Sequence, residues 1–214
     1  MPLDLDDLPL VGGHPILDLV NTVERGGSPD AHDWLADPAA LLRWSVRAGL
    51  VTEAERPAVA RAWRDEPGSA AAASSAAHQL REAVHTVALG LLGAAGPAPT
   101  AALEVLHSRW AVAVGRGRLV FDPAGPRVSL AVGPLPATLV TDRLADAAVE
   151  LLRTVDPGRL RRCPPDEGGC GWLMLDHTRN GSRRWCRMAD CGTQVKARRL
   201  TERRRAARLP ANSD

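Results

Sequence analysis

Apolar residues recur along most of the chain at the three-to-four-residue spacing of helices packed by one face. Near the start, GGHPILDLVNTVERGG (12–27) places Ile16, Leu17, Leu19, Val20 and Val23 in a short buried element, closed by Gly26-Gly27. Asp37-Pro38 then reads as an N-cap followed by a first-turn proline. Leu41, Leu42, Trp44, Val46 and Leu50 follow, with Gly49 near the helix end. Thr52 and Glu55 have the spacing of a capping box, which predicts another helix start. Over 69–94 the stripe is Leu80, Val84, Val87 and Leu91, broken by Pro97 and Pro99. Leu103, Leu106, Trp110 and Val114 make the next stripe. The period then drops to two in RLVF and RVSLAV, joined by DPAGP, which predicts a hairpin half-buried through Val128, Leu130 and Val132. Helical spacing returns over 138–155 at Val140, Leu144, Ala147, Leu151 and Val155.

Asp156-Pro157-Gly158 punctuates the chain, and the composition changes there. Residues 1–158 hold 13 arginines against 19 acids, a net of −6, whereas residues 159–208 hold 14 basic residues against 5 acids, a net of +9. Such a step points to two parts with different partners. The division expected is a mainly helical domain with a β-hairpin over 1–156, a small module over 157–208, and a flexible tail over 209–214. Of the 27 basic residues, 26 are arginine, a bias expected of a high-GC bacterial genome. No apolar run reaches the length of a membrane span, and the acidic start lacks the form of a secretory signal, so a cytoplasmic location is expected.

All four cysteines fall in the basic module. Cys163, Cys170, Cys186 and Cys191 have the form C-x6-C-x15-C-x4-C, two pairs with a spacer able to fold back and close a tetrahedron. Zn2+ is the expected occupant; two disulfides or free thiols are the alternatives. Gly168, Gly169 and Gly171 permit a tight turn around the first pair. After Leu173-Met174-Leu175, Asn180-Gly181 predicts a hairpin turn, with a return strand through Arg184 and Trp185 into Cys186. Trp172 and Trp185 are expected to cover the metal. Uninterrupted helix formers follow Cys191, so the order is knuckle, hairpin, knuckle, helix, which is treble-clef-like.

The finger residues resemble the CGNR zinc finger family, whose members carry this finger after an N-terminal ABATE domain. The resemblance rests on Cys163, Cys170, Trp172, Asp176, Asn180, Arg183, Arg184, Trp185, Cys186, Met188, Cys191, Gly192, Lys196, Arg198 and Arg199. In the N-terminal part it rests on LDLVNT (17–22) and on Trp44, Gly49 and Leu50. It implies zinc binding and a role in stress-associated transcription regulation. The family's C-G-N-R is C-G-T-Q here: Thr193 keeps a hydroxyl able to cap a helix, but Gln194 lacks the arginine fork.

Lys196, Arg199 and Arg203 share one face of the last helix, Arg198 lies on a neighbouring one, and Arg183 and Arg184 could extend the patch. These six are the candidate nucleic-acid contacts, with DNA the expected partner. The alternatives are a solvated face, docking on the acidic N-terminal domain, or a non-enzymatic protein-interaction module. Further candidate partners are a second copy of the chain and a small-molecule effector at the N-terminal domain. His78, Glu82 and His85 share a helix face and could bind metal, but a polar helix face is the preferred reading. An enzyme site at His14, Asp18 and Asn21 is the third hypothesis, and no catalytic role is expected.

Overall fold

The computed structural model describes residues 4–24, 32–94, 96–122, 124–125 and 127–206, with backbone alone at 122, 199 and 203–206. The predicted stop at Gly26-Gly27 lies outside the described residues, as do 207–214. Seven α-helices and two antiparallel hairpins are present among the described residues. The helices are α1 (Pro15–Val20), α2 (Pro38–Arg47), α3 (Arg56–Asp65), α4 (Ser69–Leu91), α5 (Thr100–Arg116), α6 (Leu139–Thr154) and α7 (Thr193–Ala206). One hairpin pairs β1 (Arg118–Asp122) with β2 (Arg127–Ala131), the other β3 (Leu160–Arg162) with β4 (Leu173–Leu175).

Local chemistry sets the helix starts. Asp37 Oδ1 accepts from the Ala40 amide at 2.7 Å with Pro38 in the first turn, the cap expected of Asp-Pro. The Thr52–Glu55 capping box is reciprocal, with the Thr52 amide on Glu55 Oε2 at 2.9 Å and the Glu55 amide on Thr52 Oγ1 at 3.2 Å. It closes the turn just before α3. Arg143 of α6 reaches back to the same carboxylate with both terminal nitrogens, at 2.6 and 2.8 Å. That guanidinium chiefly holds Glu55 down at about 2.

The long α4 is the hub. α1, α2, α3, α5 and α6 all pack on it, and α5 also packs along α6. The stripe read from sequence faces the core, with Leu80, Val84 and Val87 buried; the same core holds Trp44, Leu41, Leu106, Leu144 and Leu151. Leu91, at the end of the α4 stripe, is exposed instead. Arg81 is a charged exception on α4, only 5% exposed. Its guanidinium meets both oxygens of Asp33, at 2.8 and 2.6 Å, and Thr22 Oγ1 at 3.1 Å. Burial pushes Asp33 up, but the bonds and charge from Arg81 bring its carboxyl below the usual value. The pair pins 32–35 against α4, a contact that no local periodicity announces.

The β1–β2 hairpin is where expected, but Val128 and Leu130 are not half-buried. Val128 is 63% and Leu130 38% exposed, and every residue of β2 faces solvent. Alternation identifies an apolar face without identifying what covers it.

Candidate metal centre and basic surface

The metal centre begins at β3. The strand runs into Cys163, whose amide donates to the Trp172 carbonyl at 2.8 Å, while the Gly171 amide donates to the Cys163 carbonyl at 3.1 Å. The first knuckle is thus the loop of the β3–β4 hairpin. Its glycines are needed for two different reasons. Gly168 and Gly171 have φ of +93° and +81°, the left-handed region. At Gly169 the constraint is contact: a Cβ there would lie 2.6 Å from Cys163 Sγ and 2.8 Å from the Pro164 carbonyl oxygen. Gly169→Ala is therefore expected to displace a ligand sulfur and weaken zinc retention at least tenfold in chelator competition. Wild-type retention would refute the steric argument.

The predicted partner of β4 is corrected. Leu173–Leu175 pair with Leu160–Arg162, in the register Leu160↔Leu175, and not with a return strand through Arg184 and Trp185. The return segment is organised by one buried carboxylate. Asp176 accepts from the Thr178 amide and hydroxyl at 2.9 and 2.6 Å, and from the Arg183 amide at 2.8 Å. These bonds, led by the Thr178 hydroxyl, hold its carboxyl at about 2. Amides committed to a side chain are lost to a strand ladder.

The second knuckle places Cys186 before a single wide helical turn, Met188–Gly192, which delivers Cys191 and leads directly into α7. Thr193 does not cap α7; its hydroxyl donates to the Met188 carbonyl at 2.9 Å and steadies that turn. All four sulfurs lie within 4.8 Å of one another. Cys170 Sγ is 3.4 Å from Cys186 Sγ, which is 3.6 Å from Cys191 Sγ. These separations are far above a disulfide bond of about 2.05 Å, and the cysteines are free. They approach the sulfur–sulfur edge of about 3.8 Å required by a tetrahedron with Zn–S near 2.3 Å. Hydrogen bonds from Cys170 and Cys186 pull the Cys163 thiol well down, while the same contacts push Cys170 and Cys186 up. A divalent cation held among the four sulfurs would let all of them ionise. Cys163, Cys170, Cys186 and Cys191 are thus positioned to hold one metal ion, consistent with Zn2+. Val11, Trp172 and Trp185 pack around them, giving both tryptophans the covering role expected. Cys170 is the least enclosed ligand and, with Trp34 and Trp172, lines an open cleft of about 280 Å³.

The module is built onto the helical domain. Leu160 and Leu173 belong to the N-terminal core, and β4 packs on α1. Asn21, at the end of α1, is only 1% exposed. Its Nδ2 donates to the Leu173 carbonyl at 2.8 Å and its Oδ1 accepts from the Leu173 amide at 2.9 Å. The Leu175 amide donates to the Gly12 carbonyl at 2.8 Å. Gly12 in turn donates to Asp18 Oδ1 at 2.7 Å. Burial raises the Asp18 carboxyl to about 6, and amide bonds from Gly12 and Val11 oppose the rise. His14 Nδ1 caps α1 by accepting from the Ile16 amide at 3.2 Å. The three residues of the enzyme hypothesis thus cap α1 and fasten the finger to it. His78, Glu82 and His85 do not converge either: the only group of metal-capable side chains among the described residues is the four cysteines.

The six basic candidates have different surroundings. Arg183 is directed inward and donates to the carbonyls of Cys186 at 2.7 Å, Val11 at 2.9 Å and Leu175 at 3.1 Å. It is a latch between knuckle and N-terminal segment, with little of its fork left for an outside anion. Arg184 is exposed, lies 5.4 Å from the centre of the Trp185 ring and pairs with Glu167. Lys196 and Arg198 are exposed on α7, and Arg198 donates to the Glu167 carbonyl. Arg199 and Arg203 lie on α7, with side chains outside the described residues. Arg187, which sequence reasoning passed over, is exposed on the second knuckle beside Asp190 at 3.2 Å. The ion pairs seen for the module's arginines, Arg161–Asp176, Arg184–Glu167, Arg187–Asp190 and Arg198–Glu202, are internal to it.

A mainly helical domain carrying a four-cysteine, treble-clef-like zinc finger is the class that fold and site define. Two family models match it. ABATE, described as "Putative stress-induced transcription regulator", covers residues 13–155, and the CGNR zinc finger covers residues 159–204. The chain belongs to the ABATE family and carries its CGNR finger. Among curated proteins no chain matches it significantly. No helix among the described residues is long and apolar enough to cross a membrane.

Proposed function

We propose that this chain is a non-enzymatic, DNA-binding transcription regulator whose α7 and second knuckle meet the phosphate backbone. In that reading the N-terminal domain senses a signal or brings two copies together. The observation that supports it best is α7 itself. It leaves the zinc knuckle anchored by buried Val195 and carries Lys196, Arg198, Arg199 and Arg203, the first two exposed. A rigid basic helix of this kind suits phosphate contact or a groove. Arg184 and Arg187 add exposed charge on the adjoining segment. Arg183 is better placed as a structural latch than as a contact.

The alternative, a module whose zinc site serves protein contacts, is favoured by the anchoring of Arg184 and Arg198 to Glu167. Titration of the zinc-loaded protein against random DNA duplexes at rising salt separates the two. DNA contact predicts a steep fall of affinity with salt, and Arg199→Ala with Arg203→Ala should flatten the log–log slope by about 2. No binding at low salt, or an unchanged slope in the double variant, would favour protein contact.

A further inference from the structure

The β1–β2 hairpin carries an apolar face that is exposed among the described residues. Antiparallel register sets Leu119 opposite Leu130 and Phe121 opposite Val128, so all four side chains emerge on one face. They are exposed by 75%, 38%, 62% and 63% respectively. Arg118, Val120, Ser129 and Arg127 take the other face. Neither strand packs substantially on a helix of the domain. A two-stranded hairpin is marginal by itself. From those exposures the face presents about 400 Å² of apolar surface, the size of the largest patch on a typical monomer, and such a patch is often functional.

We infer that a second copy of this chain covers this face, the two hairpins stacking across a two-fold axis parallel to the strands. The proposal gives a surface to the dimerising role suggested above for the N-terminal domain and does not depend on DNA contact. Three features point to a like partner. The four side chains hold no charge and no hydrogen-bonding group, so an acidic, basic or nucleic-acid partner finds nothing to pair with. The face is also self-complementary in size. The two-fold sets each Phe121 against the partner's Val128 and each Leu119 against the partner's Leu130, so large meets small and medium meets medium. The layer is then evenly filled, at the roughly 10 Å spacing of stacked sheets. A two-fold across the strands would set Phe121 on Leu119 and Val128 on Leu130, leaving the β1 side overfilled and the β2 side hollow. At about 400 Å² per copy the contact is half the ~800 Å² per partner of a standard interface, which places this dimer among weak, reversible ones with a Kd of roughly micromolar or above.

Sedimentation velocity of the full-length zinc-loaded protein over about 1–200 μM, a range that brackets that affinity, tests this directly. The expected result is a shift from one chain mass to two as concentration rises. Phe121→Arg and Val128→Asp should each abolish the shift and leave the melting temperature unchanged, because both side chains are exposed. An equimolar mixture of the F121R and V128D chains should regain the two-chain species, since the axis brings the opposite charges together. A monomer throughout, or a dimer in either variant alone equal to wild type, would overturn the proposal. So would a mixture that fails to reassociate, which would place the contact elsewhere or give the face to a different protein.

Discussion

Stripping zinc with a chelator at neutral pH is expected to loosen the N-terminal helices as well as the finger. The finger has little apolar content of its own, so its fold depends on the metal, which in such modules contributes on the order of 10 kcal/mol. If the two parts were merely tethered, the helical domain would not register the loss. They share a core instead. Leu160 and Leu173 are buried in the same cluster as Ile16, Leu17 and Leu144. The β3–β4 ladder bearing them continues directly into Cys163 through the Cys163–Trp172 bond. Freed of metal, that ladder has two short strands and no closure. Its departure uncovers α1, a six-residue helix too short to persist without packing. The expected readout is a melting temperature lower by about 10 °C or more for the whole chain, as a loss of several kcal/mol implies at this size. Amide exchange should rise at Leu17–Val20, outside the finger. An α1 protected equally with and without zinc would show that the two parts are independent.

The sequence was most legible where structure is made locally. The stripes of α4, α5 and α6 and the Asp37 and Thr52–Glu55 caps are interactions between near neighbours, and they stand as read except at the exposed Leu91 and Leu103. The zinc ligands were legible for a different reason: four thiols in two pairs, with a spacer able to close a tetrahedron, leave few chemistries open. What was not legible is what depends on a distant partner. Alternation marks Val128, Leu130 and Val132 as a half-buried face, but Val128 and Leu130 are exposed, because the pattern does not say what covers the face. The return strand after Asn180-Gly181 failed because Asp176 collects the amides a ladder would need, and one carboxylate leaves no period in the sequence. The five arginines and one lysine of the patch are marked in the sequence by charge. Charge cannot distinguish Arg183, bonded to three main-chain segments, from Lys196 on an open helix face.

Replacing Asn21 with alanine is expected to weaken the helical domain and the finger together. The LDLVNT segment looks like a site because it holds an acid and an amide beside apolar residues. The amide's partner is Leu173, 152 positions away, and the two bonds between them behave as one extra rung of the β3–β4 ladder. Deleting the side chain strands a buried amide and a buried carbonyl, each costing roughly 1–3 kcal/mol when it has no partner. The summed loss of about 3 kcal/mol should lower melting by about 8 °C. It should also speed zinc release to a chromogenic chelator, since the hairpin that positions Cys163 then keeps its packing on α1 but only the Leu175–Gly12 bond and Arg183 as polar ties to the segment before it. Asn21→Asp sharpens the case: it keeps the acceptor for the Leu173 amide but sets a carboxylate against the Leu173 carbonyl. That variant should be no more stable than alanine, even though it differs from wild type by a single group. A merely polar requirement at this position would instead be met by aspartate. Equal stability of Asn21→Asp and wild type would therefore refute the two-bond clip, and with it the coupling between finger and helical domain that the zinc experiment measures from the other side.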